Sequence, residues 1–183
     1  MISGAARGHR LRAPSGWWVR PTADRLKESL FDFLDVEWEG NRVLDLFAGS
    51  GALGIEALSR GAARAVFVEA DRRCIQVILR NLDSCGMAGR YRIVRADVLR
   101  FLAGRKGQME FDVILADPPY GKGLARACLL AVDRRGWLAA SGKMVVEHSR
   151  REPLPERGGG LTLEECRSYG ESVVSVYERA ETG

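Results

Sequence analysis

Asp117-Pro118-Pro119-Tyr120 sets a carboxylate, a carbonyl between two stiff rings and an aromatic face within four residues. A planar exocyclic amine on a nucleobase calls for such a set. Its lone pair is delocalised into the ring, so it is a poor nucleophile until acceptors align it. The Asp117 carboxylate and the Pro118 carbonyl can accept its two N–H bonds and stabilise the positive charge that develops on attack. Pro118 and Pro119 stiffen the turn, and Tyr120 can stack on the base. Pro-Pro is also a common way simply to end a strand, so the tetrapeptide carries this chemistry only beside an activated donor.

A second segment supplies the place for one. Asp45-Leu46-Phe47-Ala48-Gly49-Ser50-Gly51-Ala52-Leu53-Gly54 is a G-x-G-x-x-G turn, and Glu69 follows its first glycine by about twenty residues. On paper this is a dinucleotide fingerprint. Its logic is wider, because any adenosine-containing ligand can use glycines for close backbone approach and a carboxylate for two ribose hydroxyls. Asp45 decides between ligands. A carboxylate beside the turn repels a pyrophosphate and attracts a cation. S-adenosylmethionine, with a sulfonium, an ammonium and an adenosine, matches. Asp97 could then accept a hydrogen bond from the adenine amine while the N–H of Val98 meets a ring nitrogen. Asp before a short helix is also an ordinary N-cap.

Charge adds a third feature. The 183 residues hold 28 Lys+Arg against 24 Asp+Glu, a net +4. Residues 1–20 contain Arg7, Arg10, Arg12 and Arg20 and no acid, so the remainder is balanced. Arg7, Arg10 and Arg12 are spaced to project from a short hairpin, and arginine matches phosphate bidentately. Trp17 and Trp18 lie in the same segment and could stack on a base or seal the hairpin against the domain. Arg25 and Lys27 fall on the following helix and face either the pocket or solvent. His148, Arg150 and Arg151 follow the fifth strand and could line the approach of a nucleic acid, but read rather as a solvated loop.

The elements that must position these residues follow from periodicity. Thr22 reads as an N-cap for a helix over Ala23–Leu34. Strands are expected at Arg42–Phe47, Ala65–Glu69, Tyr91–Val94, Phe111–Ala116 and Lys143–Glu147. Helices are expected at Ala52–Arg60, Asp71–Cys85, Val98–Ala103 and Leu124–Asp133. Apolar strands alternating with helices predict a parallel sheet covered on both faces. Leu161–Arg167 and Ser172–Tyr177, joined by Tyr169-Gly170, predict an antiparallel hairpin at one edge. Gly158-Gly159-Gly160 reads as a mobile loop.

With 46% hydrophobic and 28% charged residues, the chain is expected to be one soluble globular α/β domain rather than a disordered chain or a disulfide-knit miniprotein. Apolar runs are strand-sized, and residues 1–20 lack the core of a signal peptide. Cys74, Cys85, Cys128 and Cys166 are widely spaced, with only His9 and His148 as further soft ligands. That pattern predicts reduced thiols in a cytoplasm and no metal site.

Taken together, these segments resemble the bacterial 16S ribosomal RNA guanine-N2 methyltransferase family, the RsmD family. The resemblance is carried by Arg7-Gly8-His9-Arg10-Leu11, Arg20–Glu28, Asp45–Gly54, Val68-Glu69-Ala70-Asp71, Asp117–Tyr120 and Tyr169-Gly170, in order along nearly the whole chain. Asp-Pro-Pro-Tyr is shared with many amino-methyltransferases, whereas the Arg-Pro-Thr-x-Asp-Arg run is far more specific. The resemblance implies a Rossmann-like methyltransferase fold, with a mostly parallel seven-stranded sheet, its last strand antiparallel. It also implies a basic β-hairpin extension over residues 1–21 and a methyltransferase domain over 22–183. Asp45, Gly49, Gly51, Glu69, Asp97 and Asp117 would surround S-adenosylmethionine, with Phe47, Ala48, Ser50, Ala70 and Val98 beside them in the same segments. Asp117 and Tyr120 would hold the guanine. The substrate implied is 16S rRNA in an assembled or late-precursor small subunit; the chain itself is expected to work as a monomer. Ser29 and Asp32 depart from the residues more usual in the first helix.

Three other readings share some of these residues. Methylation of a DNA adenine or cytosine amine uses the same turn but usually needs a target-recognition insertion, for which no stretch here has the length. An NAD-dependent dehydrogenase would use the glycine turn, yet Asp45 opposes a pyrophosphate and there is no second dinucleotide half. A non-catalytic RNA-binding module would keep the fold without needing Asp117.

Overall fold

Alternation within the strands decides which layer each side chain joins. In β1 (Arg42–Leu46), Val43 points to one face of the sheet and Leu44 and Leu46 to the other, and all three are fully buried. The computed structural model of the chain describes residues 1–14, 30–31, 33–104 and 110–180. Strands β2 (Arg64–Glu69), β3 (Tyr91–Arg95), β4 (Phe111–Ala116) and β5 (Leu138–Ser149) run parallel to β1. Between them lie helices α1 (Ala52–Ser59), α2 (Arg72–Ser84), α3 (Val98–Ala103) and α4 (Leu124–Arg135). Two short-range strands, β6 (Arg157–Gly158) and β7 (Leu161–Tyr169), precede the final β8 (Ser172–Arg179). The sheet order is β3-β2-β1-β4-β5-β8-β7-β6.

One core layer joins Val43, Phe67, Val113 and Val145 to Ile55 and Leu58 of α1 and Ile78 and Leu82 of α2. The other joins Leu44, Leu46, Val68 and Ile114 to Val98 and Leu102 of α3 and Leu129 and Val132 of α4. Each such side chain, fully buried, contributes about 1.5–3 kcal/mol. Covering both faces accounts for the continuous apolar runs of the parallel strands.

β8 enters antiparallel between β5 and β7, as expected of the last strand. Among the described residues the sheet has eight strands rather than the seven expected. The additional one is the two-residue β6, which pairs with Leu161 and Thr162 across the glycine run. A tight turn replaces the expected mobile loop there. Gly159 has φ +73°, and a Cβ at Gly158 would stand 2.7 Å from Leu129.

β5 is also longer than the expected Lys143–Glu147. It begins at Leu138, and its register against β4 shifts between Phe111 and Val113. The weak strand formers Ala139, Ala140, Ser141 and Gly142 concealed that first half.

Of the hairpin expected over residues 1–21, residues 15–21 lie outside the described residues. Residues 1–14 carry no strand, only a 3-10 turn at Gly4–Ala6. This segment is stitched along α1 instead. Glu56, 2% exposed, accepts from the backbone N–H groups of Ile2 (2.9 Å) and Ser3 (3.0 Å) and from Arg60 Nε (2.9 Å). Ser59 Oγ accepts from Ala6 N at 2.9 Å and donates to the Ser3 carbonyl. These bonds make burial of the Glu56 charge tolerable. Of the helix expected over Ala23–Leu34, the described part is its end, where Leu34 N donates to the Leu30 carbonyl at 3.1 Å. Leu30, Phe31 and Leu34 there join the core.

Candidate functional site

The strand order reverses between β1 and β4, which opens a crevice at their carboxyl ends, the place where open α/β sheets bind ligands. Backbone bonds draw the segments leaving these strands together. Ala48 N donates to the Val68 carbonyl (3.2 Å), Ala96 N to the Glu69 carbonyl (3.2 Å), and Asp117 N to the Leu46 carbonyl (3.5 Å). The glycine turn, Glu69, Asp97 and the Asp-Pro-Pro-Tyr turn therefore share one rim.

The turn itself requires unusual backbone. Phe47 adopts φ +59°, a left-handed conformation that costs a non-glycine residue of order 1 kcal/mol or more. Gly49 (φ +56°) and Gly51 (φ +78°) continue it. Gly54 is needed for space: a Cβ there would stand 2.4 Å from the Phe67 ring. Carboxylates hold this shape. Asp45 Oδ2 accepts from Gly54 N at 2.9 Å. Glu69 Oε2 accepts from Gly49 N at 2.9 Å, and Oε1 from Asp71 N at 2.8 Å.

Asp45 is 1% exposed, so its charge acts on the rim from beneath the loop. Glu69 is half-buried, and each oxygen keeps a lone pair beyond its single N–H bond. Ala48, Gly49 and Gly51 are buried, and Ser50 and Ala70 are at the surface of the turn or close to it. Asp97 is exposed and is an N-cap: its side chain accepts from Arg100 N at 2.9 Å. Val98 begins α3, where first-turn N–H groups have no intrahelical acceptor.

Across the crevice, Asp117 and Pro119 are exposed while Pro118 is buried. Tyr120 is 37% exposed, but its hydroxyl is held inside. It donates to Glu147 Oε1 at 2.7 Å and meets Ser172 Oγ at 2.7 Å. Burial of that hydroxyl pushes its pKa well above the usual tyrosine value. Ser172 opposes this, and the carboxylates of Glu147 and Asp117 add to it. Beyond the tetrapeptide, Glu152 accepts from Gly121 N and Gly123 N, which pins the turn and the start of α4. Those two backbone bonds hold the Glu152 carboxyl below the ordinary range.

Glu147, Ser172 and Glu152 were not expected from sequence. Each is a lone polar residue on a strand or loop whose partner lies 27 or more residues away. His148, expected in a solvated loop, is 4% exposed. Its Nδ1 faces the carbonyls of Ser149 and Glu152, and Nε2 lies 2.8 Å from Ser175 Oγ. A proton on Nδ1 satisfies both carbonyls, so the residue is structural.

Arg7, Arg10 and Arg12 are exposed, and none has a carboxylate partner among the described residues. Trp17, Trp18, Arg20 and Arg25 lie outside the described residues. No group of three or more metal-ligating side chains occurs among the described residues, and none of their helices is long and apolar enough to cross a membrane.

A doubly wound sheet whose final strand β8 runs antiparallel, an acidic glycine turn and an Asp-Pro-Pro-Tyr turn on the same rim define a Rossmann-like methyltransferase. The family model described as Conserved hypothetical protein 95 matches residues 1–178, and the chain belongs to that family, the RsmD family. Ribosomal RNA small subunit methyltransferase D of Escherichia coli is 36% identical over 183 residues, spanning 100% of this chain and 91% of its own. The protein of that name from Haemophilus influenzae is 34% identical over 155 residues, 84% of this chain and 80% of its own. Among solved structures, yhhF from Escherichia coli superposes with TM-score 0.85 at 36% identity, covering 98% of this chain and 96% of that one.

Proposed function

We propose that the chain methylates the exocyclic N2 amine of a guanine in 16S ribosomal RNA, using S-adenosylmethionine. The observation that carries this reading is the shared rim: Asp117 of the tetrapeptide is bonded by its backbone to Leu46, three residues before Gly49. An amine held at one turn faces a donor held at the other.

The residues present fit the cofactor. Four carboxylates, Asp45, Glu69, Asp97 and Asp117, surround the crevice, which suits a cationic ligand and disfavours a pyrophosphate. The remaining lone pairs of Glu69 suit two ribose hydroxyls, and Val98 N–H with Asp97 suits an adenine edge. The cofactor supplies a methyl group already activated on sulfonium, so no strong base is required of the protein. Asp117 and the Pro118 carbonyl accept the two N–H bonds of the amine and stabilise the charge that grows on it. Tyr120 presents its ring to the base face, with the far end anchored by Glu147 and Ser172. Proximity supplies much of the rate.

The rRNA assignment is supported by the names of the relatives above and by the exposed arginines of the N-terminal segment. An RNA guanine must leave its stack to reach such a crevice, so backbone grip has to accompany the chemistry. A small-subunit substrate, assembled or nearly so, sets the work in the cytoplasm and needs one copy of the chain per site. The test is incubation with methyl-labelled cofactor and either small ribosomal subunits or duplex DNA, followed by mass mapping of the product. Label in a guanine N2 of 16S rRNA is the expected result. Label in DNA alone would overturn the substrate, and nicotinamide binding without S-adenosylmethionine binding would overturn the cofactor.

A further inference from the structure

We propose that Asn81 is a positioning residue that couples the N-terminal arginine segment to the cofactor loop, so that cofactor and RNA bind cooperatively. This rests on the methyl-transfer reading above and adds a regulation of that same site.

Asn81 lies in α2 and is 1% exposed. Its Oδ1 accepts from Arg12 N at 2.8 Å. Its Nδ2 donates to the Arg12 carbonyl at 3.0 Å and to the Ser50 carbonyl at 2.9 Å. The amide orientation is fixed by chemistry, since the reverse would set an NH2 against the Arg12 N–H and an oxygen against two carbonyls. Both donors are committed and the side chain is buried, so Asn81 has no N–H to offer cofactor or RNA. It acts only through the backbones it holds.

Those two backbones belong to different tasks. Ser50 stands between Gly49 and Gly51, both at positive φ, where the chain has little restraint of its own. Glu69 fixes this stretch from one side through Gly49 N, and Asn81 fixes it from the other through the Ser50 carbonyl. Arg12 is 69 residues from Asn81 in sequence and carries the third of the exposed arginines. The beginning of its segment is tied to α1 by Glu56 and Ser59, but its end is tied to the same carboxamide as the loop.

Ordering of the loop by cofactor therefore favours one position of the Arg12 backbone. By reciprocity, phosphate contact at the arginines favours the loop that takes cofactor. Asn serves here where Asp or Leu cannot. Asp would oppose two carbonyls with a charge, and Leu would leave three backbone groups unpaired.

The test uses the full chain and S-adenosylmethionine, with calorimetry for affinity and hydrogen exchange for the order of residues 1–14. Asn81→Ala removes all three bonds. Arg12→Pro removes only the N–H to Oδ1, and Arg12→Ala loses the same guanidinium but keeps that N–H. Adding cofactor to the parent is expected to slow exchange over residues 1–14. In Asn81→Ala and Arg12→Pro that response disappears, and cofactor Kd rises about three- to tenfold, the worth of one net hydrogen bond. Arg12→Ala keeps the parent Kd.

If Asn81→Ala does not fold, the comparison of Arg12→Pro with Arg12→Ala decides alone. Equal Kd in those two variants, with residues 1–14 responding to cofactor in both, overturns the coupling. A parent chain that binds no S-adenosylmethionine overturns the methyl-transfer reading itself and the coupling with it.

Discussion

The hydroxyl of Tyr120 donates to Glu147 Oε1 at 2.7 Å, so a carboxylate on β5 sets the position of the aromatic ring that ends the Asp-Pro-Pro-Tyr turn. Ser172, at the head of β8, reaches the same hydroxyl. The reversed last strand thus does more than fill the sheet. Only a strand running antiparallel to β5 brings its first residue to the carboxyl end where Tyr120 stands.

A ring held this way should lose its alignment when either end of the bond is removed. Tyr120→Phe and Glu147→Ala are each expected to slow methylation about tenfold, the worth of a hydrogen bond to a charged group. The double variant should fall no further than the weaker single variant, a coupling of about 0.5–3 kcal/mol. Losses that simply add would show that hydroxyl and carboxylate act separately. The raised pKa keeps Tyr120 a neutral donor through mildly alkaline pH, so no loss of rate there is expected from its ionisation.

Arg7, Arg10 and Arg12 make a separate prediction, because all three are exposed while the segment that carries them is held by its backbone, Arg7 N to the Gly4 carbonyl and Arg12 N to Asn81 Oδ1. Changing all three to Gln keeps every backbone bond. RNA affinity should weaken, and the slope of log affinity against log salt should fall by about 2 if each arginine neutralises one phosphate of a single strand. Cofactor affinity should stay at the parent value. A filter-binding series across salt concentrations measures the first, and calorimetry the second.

The elements were largely legible because each pattern is local. β4 at Phe111–Ala116 and α3 at Val98–Ala103 have the expected bounds, and Asp97 is the cap its position suggested. Glycine spacing and the acid ending β2 pointed to the crevice for the same reason. What escaped was every tie between distant segments. Asn81 sits in an amphipathic helix as one polar residue among several, and nothing nearby marks it as the partner of Arg12 and Ser50. Glu56 looks like a solvent-facing helix acid, yet it is buried under the N-terminal segment. The N-terminal segment shows the same thing: over residues 1–14 its backbone bonds to side chains of α1 and α2 and, as from Gly8 N to the Met1 carbonyl, to itself, while the rest of the expected hairpin, residues 15–21, lies outside the described residues.

Gly54 tests how tightly the turn is packed. A helix interior ordinarily gains about 0.5–1 kcal/mol when Gly becomes Ala. Here the new Cβ would stand 2.4 Å from Phe67 Cε1 and 3.0 Å from Asp45 Oδ2, and overpacking of a core costs about 1–3 kcal/mol. The clash wins. Gly54→Ala should lower Tm by about 2–4 °C for each kcal/mol of net loss in a chain of this size, and it should weaken cofactor binding by loosening the Asp45 bond to residue 54. A variant as stable as the parent would show that the Phe67 ring can move aside.

Burial also separates the four cysteines by reactivity. Burial pushes the Cys128 thiol up to about 12, with the Asp97 carboxylate adding to it, and pushes Cys74 up to about 11, with Glu69 and Asp71 adding. Cys166 is exposed. The thiolate is the form that alkylates, and its share falls tenfold for each unit by which the pKa exceeds the pH. At about pH 8 a thiol at 11 is ionised to roughly one part in a thousand, and one at 12 to roughly one in ten thousand. Native protein treated with iodoacetamide should therefore label at Cys166 first and leave Cys74 and Cys128 intact, while unfolded protein labels at all four. Raising the pH should speed Cys74 and Cys128, because each unit enlarges their thiolate share tenfold. Native labelling of Cys128 as fast as Cys166, read by peptide mass mapping, would show that the layer between α3 and α4 opens on the timescale of the reaction.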